Sequence, residues 1–111
     1  MKRTIENISY NKSTEELARF AKALGHPTRI AILNHLENQS CCFTGDLVEV
    51  FPLAQSTISQ HLKELKNVGL IQGELESPKI KYCIHQGNWD KAKLLFEDLF
   101  KSKKLIKIDR C

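Results

Sequence analysis

Two groups of residues in this chain could do chemistry. The first is Gln55, Ser56, Thr57, Ser59, Gln60 and His61, short uncharged hydrogen-bonding side chains that crowd two turns of the segment from Pro52 to Ile71. The second is the cysteines Cys41, Cys42, Cys83 and Cys111. In the first group the apolar residues Ile58, Leu62 and Leu65, and less strictly Val68, keep the spacing of one buried helical stripe. Ser and Thr add little to a helix interior, because their hydroxyls compete for backbone hydrogen bonds. Against base edges they are useful, since Gln, Ser and Thr can donate and accept in the major groove. The segment therefore reads as a recognition helix, with a plain amphipathic helix that merely starts Ser/Thr-rich as the alternative.

The remaining elements must hold that helix in place. Ser13 or Thr14 can cap a first helix with Leu17, Phe20, Ala21 and Leu24 on one face, ended by Gly25. His26-Pro27-Thr28-Arg29 opens a second, whose Ile30, Leu33 and Leu36 are apolar on a wide arc. Cys41-Cys42-Phe43 is strand-like, Thr44 caps a short third helix, and Phe51-Pro52 breaks it before the recognition helix, which stops at Gly69. Leu70 to Glu76 and Lys79 to His85 alternate about Ser77-Pro78 and form a hairpin. A last helix runs from Trp89 to about Lys103 with Ala92, Leu95, Phe96, Leu99 and Phe100.

This order, α-α-β-α-α-β-β-α, is a mainly α (α+β) winged helix-turn-helix, with the hairpin as wing. Residues 13–103 form the domain, after a flexible lead over 1–12 and before a basic tail over 104–111. The apolar faces of the first and last helices exceed what one 111-residue chain can cover, so a symmetric homodimer through those helices is expected.

Composition sets limits on other functions. A net charge of +4, clustered at Lys2-Arg3, at Lys79 and Lys81, and from Lys101 to Arg110, leans toward a polyanionic partner. No apolar run follows Met1-Lys2-Arg3 and none is long enough for a bilayer, so neither a leader nor a membrane partner is expected. The cysteines lack a secreted-scaffold pattern, which places the chain in a reducing cytoplasm with free thiols. No nucleophile–base or paired-carboxylate constellation stands out, so no enzyme is expected. A winged helix used only for protein contact calls for an acidic or apolar reading face, and this face is polar and neutral.

Ala23-Leu24-Gly25-His26-Pro27-Thr28-Arg29-Ile30-Ala31-Ile32-Leu33 resembles the opening of the ArsR/SmtB family of bacterial repressors. Gln55 to Leu65, followed by Gly69-Leu70-Ile71, resembles that family's recognition helix and entry to the wing, and the likeness extends over about residues 15–100. The resemblance implies a cytoplasmic homodimer on double-stranded DNA, repressing its own operon from a palindromic operator until an effector binds. By position, Gln55, Ser56, Ser59 and Gln60 match residues that face bases, with Thr57, His61 and Lys63 beside them. For His61, DNA contact and packing of the turn both stay open, as do phosphate contact and a structural ion pair for Arg29. Lys79 and Lys81 are expected on phosphate, with a simply solvated wing strand as the alternative.

The family's metal sites do not carry over. Its arsenic-type Cys-x-Cys is replaced by Phe43-Thr44-Gly45 before Asp46-Leu47, and no histidine lies between Asn88 and Lys104 to build a zinc-type site. If Phe43 faces the core, Cys42 faces away and can meet Cys83 across the strands, with Cys41 adjacent, His85 in reach and Cys111 able to complete a site. Such a cluster suits a trivalent metalloid or soft metal ion as effector. Thiol oxidation sensing, small half-buried packing residues, and a DNA-binding module with no effector stay open beside it.

Overall fold

The computed structural model describes residues 8–101. Eight elements follow in the expected order: α1 Lys12–Leu24, α2 Pro27–Gln39, β1 Cys41–Phe43, α3 Thr44–Val50, α4 Gln55–Asn67, β2 Ile71–Glu76, β3 Lys79–Ile84 and α5 Gln86–Phe100. They make a winged helix-turn-helix with one antiparallel sheet of order β1-β3-β2. Of the expected lead and tail, residues 1–7 and 102–111, with Cys111, lie outside the described residues.

The core joins both halves of the reading head. Ile32, Leu36, Leu47, Ile58, Leu62, Leu65, Leu70 and Ile71 are fully buried, so α2, α3, α4 and the start of β2 share one interior. Complete burial of such a side chain contributes roughly 1.5–3 kcal/mol, enough to fix the angle of α4 against its neighbours. α1 and α5 are tied through Lys91, whose Nζ lies 2.7 Å from Glu16 Oε2. Among the described residues, no helix is long and apolar enough to cross a membrane.

Several helix ends differ from the sequence reading. Asn11, not Ser13 or Thr14, caps α1: its Oδ1 accepts from the Thr14 amide at 2.8 Å. Asn11 can do so because its backbone is extended, which swings the side chain over the first turn. Thr44 is the first residue of α3 rather than its cap, and Asp46 Oδ2 instead accepts from the Phe43 amide at 3.0 Å. The last helix starts three residues early, at Gln86, because His85 leaves β3 and its Nδ1 accepts from the Asn88 amide at 3.1 Å.

The exit from α4 is built with care for its geometry. Leu70 N–H donates to Leu65 C=O at 3.1 Å and Gly69 N–H to Lys66 C=O at 2.9 Å, the paired bonds of a Schellman end. Gly69 is left-handed at φ +84°, and a Cβ there would stand 2.6 Å from Asn88 Nδ2. That same Nδ2 donates to Gly69 C=O at 2.9 Å, tying the root of the wing to α5.

Candidate nucleic-acid interface

Helix α4 divides sharply into two sides. Ile58, His61, Leu62 and Leu65 are buried, while Gln55, Ser56, Thr57, Ser59, Gln60 and Lys63 are all exposed. No side chain caps the start of α4, so the Ser56 and Thr57 hydroxyls are not consumed there. Gln60 is partly engaged, its Nε2 donating to Glu64 Oε2 at 3.1 Å along the helix. The face is thus a row of hydrogen-bonding groups on a rigid rod, carried by the same stripe that forms the core.

The wing stands beside this face. Gln55 and Ser59 of α4, Asp46 of α3, and Pro78 and Lys79 of the wing line one notch of about 370 Å³. Ser77-Pro78, a cis peptide, makes the turn between β2 and β3. Lys79 Nζ lies 5.4 Å over the Phe43 ring, an attraction of a cation to a π face that keeps the ammonium near the notch without neutralising it. Lys81 is different. Its Nζ sits 2.8 Å from Glu76 Oε2 and 3.7 Å from Glu74 Oε1, and the hydrogen bond to Glu76 holds its pKa above the ordinary lysine value. The expected phosphate contact at Lys81 must therefore compete with two carboxylates of its own hairpin. Leu75 and Ile80, paired across the strands, leave exposed apolar surface next to the turn.

His61 and Arg29 resolve toward packing. His61 is only 7% exposed, and its Nδ1 accepts from Arg29 Nε at 3.1 Å. Its ring lies 4.4 Å from that of His26, tilted by 56°. Arg29 also donates from its NH1 nitrogen to Ala23 C=O at 3.2 Å. Arg29 and His61, for which packing stayed open beside DNA contact, thus bolt α4 to the start of α2, because His61 precedes Leu62 on the buried arc rather than flanking the polar one. Burial, then the nearby His26 and Arg29 charges, pushes the His61 pKa below 6.5 and favours the neutral ring. His26, which drew no attention as a site residue, has a double role: its Nδ1 also accepts from the Thr28 amide at 3.1 Å as the cap of α2.

The cysteines pair otherwise than expected. β1 meets β3 with Cys41 opposite Cys83, Cys42 opposite Tyr82 and Phe43 opposite Lys81. Cys42, not Phe43, is the residue of β1 that points into the core, at 5% exposure. The parity of β1 is therefore the reverse of the expected one, and it is Cys41 that joins Cys83, in a disulfide with 4.2 Å between the Cα atoms. Burial first, and Asp46 second, push the Cys42 thiol pKa up, which keeps it protonated. His85 Nδ1 is committed to capping α5. Among the described residues no three His, Cys, Asp or Glu side chains are grouped to hold a metal ion, and the expected Cys42–Cys83 ligand pair is not formed.

Known proteins align with this chain across the same elements. The family model described as bacterial regulatory protein, arsR family, matches residues 26–72, from the cap of α2 into β2. The HTH-type transcriptional regulator YgaV of Escherichia coli K12 is 35% identical over 72 residues, 65% of this chain and 73% of that protein. The HTH-type transcriptional regulator NmtR of Mycobacterium tuberculosis H37Rv is 32% identical over 95 residues, 86% of this chain and 77% of that protein. Among solved structures, HlyU from Vibrio cholerae N16961 superposes with a TM-score of 0.68 at 25% identity, over 84% of this chain and 100% of that one.

Proposed function

The chain belongs to the arsR family of bacterial regulatory proteins and is a DNA-binding transcriptional regulator, and from that premise we propose that it is a homodimeric repressor of a palindromic operator. The observation that carries this reading is the division of α4: every short polar side chain that could meet a base edge is outside, and the stripe that orients them is fully buried. Gln55, Ser56, Ser59 and Gln60 read bases in the major groove, with Thr57 and Lys63 at the margin. Lys79 meets the backbone phosphates from the wing, and Lys81 joins it only by leaving Glu74 and Glu76. Such phosphate contacts position the protein without adding sequence information.

Dimerisation supplies the second reading head. Leu94, Leu99 and Phe100 of α5 are 65%, 58% and 75% exposed, and Leu24, Trp89 and Phe96 line an apolar groove between α1 and α5, surface that calls for a partner. An effector of the thiophilic class, a trivalent metalloid or soft metal ion, takes Cys41 and Cys83 once they are reduced, and by holding the pair open it keeps the protein off the operator. The testing experiment measures affinity for a palindrome from the gene's own promoter and for random duplex, at two salt concentrations. Ser59→Ala is expected to cost about 1–3 kcal/mol on the palindrome and almost nothing on random duplex. Equal losses on both would show that α4 meets only phosphate and would defeat the reading.

A further inference from the structure

We infer that Cys41 and Cys83 form a reversible thiol–disulfide pair, exchanging with small-molecule thiols, whose closed state holds the wing and the reading head in the arrangement that grips the operator. The inference rests on the repressor reading above and assigns that reading its regulatory site. Three observations carry it. The pair joins the two parts of the DNA interface directly: Cys41 opens β1, which passes into α3 with no intervening residue, and Cys83 lies on β3, the strand that descends from Lys79. The pair also borders open space. A cavity of about 300 Å³, lined by Glu37, Ser40, Ile84, Gln86 and Trp89, gives access to it. Of the two sulfur-bearing residues, Cys41 is half-buried and Cys83 is 8% exposed, so Cys41 is the one a reagent reaches.

The third observation is backbone strain beside the pair. Ser40, which ends α2 and immediately precedes Cys41, has φ 72° and ψ −58°, the rare γ-turn conformation that costs a residue with a side chain. A strained residue persists only where its surroundings over-determine it. The cross-link is part of that surrounding, because it holds Cys41 against β3. Once the bond opens, only the backbone ladder of a three-residue strand opposes relaxation of Ser40. β1 can then lift at its first residue while Cys42 stays anchored in the core.

The exchange balances without any further reagent. A small-molecule thiolate attacks Cys41 Sγ, the Cys41–Cys83 bond breaks, and Cys83 leaves as a thiolate that takes up a proton. A second thiolate attacks the outer sulfur of the mixed disulfide on Cys41, releasing the small-molecule disulfide and leaving Cys41 as a thiol after protonation. Two electrons pass from two thiols to the protein, and a small-molecule disulfide reverses each step. Cys42 does not compete, being buried in the core on the opposite face of β1.

The test equilibrates the full chain in buffers of reduced and oxidised glutathione, maps linked peptides by mass spectrometry, and measures affinity for operator and random duplex. A Cys41–Cys83 linked peptide should appear in the oxidising buffers. Operator affinity should be at least about fivefold lower in the reducing buffers than in the oxidising ones, within the usual range of coupling between two sites. Cys41→Ser and Cys83→Ala should each bind at the weaker level in every buffer, while Cys111→Ser keeps the full response. Equal operator affinity in both buffers, no Cys41–Cys83 linked peptide, or a response that survives in Cys83→Ala overturns the assignment while leaving the repressor reading intact. Preference for operator in neither buffer overturns the repressor reading and the assignment together.

Discussion

Acidification should unfasten α4 from α2 through one side chain, His61. In the fold its Nδ1 accepts from Arg29 Nε, and its ring packs on His26. Arg29 cannot give up its charge, so a proton on Nδ1 both removes the acceptor and places a second cation against the guanidinium. Burial first, then the His26 and Arg29 charges, depress the folded pKa from 6.5, and the unfolded chain binds more protons wherever the pH lies below about 6.5 and above the folded value. Stability is complete above the unfolded pKa and is lost as the pH falls from there toward the folded pKa. The ceiling on that loss is about 1.4 kcal/mol per pH unit from this residue. The sole tryptophan, Trp89, packs against the core and reports unfolding by fluorescence. Urea titrations at pH 7.5, 6.5 and 5.5 should show the native protein losing more stability between the last two than His61→Gln, by at most about 1 kcal/mol, since Gln keeps an acceptor but does not titrate. Identical pH slopes in the two proteins would refute the argument.

Three further outcomes follow from other parts of the molecule. Leu99→Glu or Phe100→Glu should turn the proposed dimer into a monomer in sedimentation and abolish cooperative binding to a two-half-site operator, since a carboxylate would be buried in an apolar interface. Gly69→Ala should destabilise the fold by about 1–3 kcal/mol in the same urea assay, because φ +84° is strained for alanine and Asn88 must move. Lys79→Ala should weaken operator and random duplex together and flatten the salt dependence of binding, whereas Lys81→Ala should do so less, its charge being shared with Glu74 and Glu76.

The order of elements and the polar face of α4 were legible because both rest on periodicity, which a single chain displays. Ile58, Leu62 and Leu65 repeat at helical spacing, and Gln55, Ser56, Thr57, Ser59, Gln60 and Lys63 were exposed as expected. The phase of β1 was not legible. Three residues alternate in either of two ways, and only the packing of Cys42 in the core beside Leu47 decides between them. Misjudging that phase moved the thiol pair from Cys41 to Cys42. The sequence left His61 open between packing and DNA contact because the width of the buried arc of α4 is set by Arg29 and His26 elsewhere in the chain. The carboxylates around Lys81 could have been found: counting outward from Ser77-Pro78 places Glu76 opposite Lys79 and Glu74 opposite Lys81. The family resemblance gave the winged helix-turn-helix fold, and of the cysteines it said only that the family's own metal sites are absent.

The placing of β1 at the edge of the sheet next to β3 has a consequence for how the chain acquires its shape. β2 and β3 are neighbours in sequence and can zip from the Ser77-Pro78 turn by local contacts. β1 must instead find a strand 42 residues further on, as the Cys41–Cys83 separation measures, and between them lie α3, α4 and β2. Closing so long a loop costs chain entropy before any strand pairing offsets it, and such distant pairings slow folding relative to helical contacts. The helix-turn-helix should therefore dock before the sheet is complete. On the ribosome, β1 emerges long before its partner, so it waits unpaired until the wing arrives.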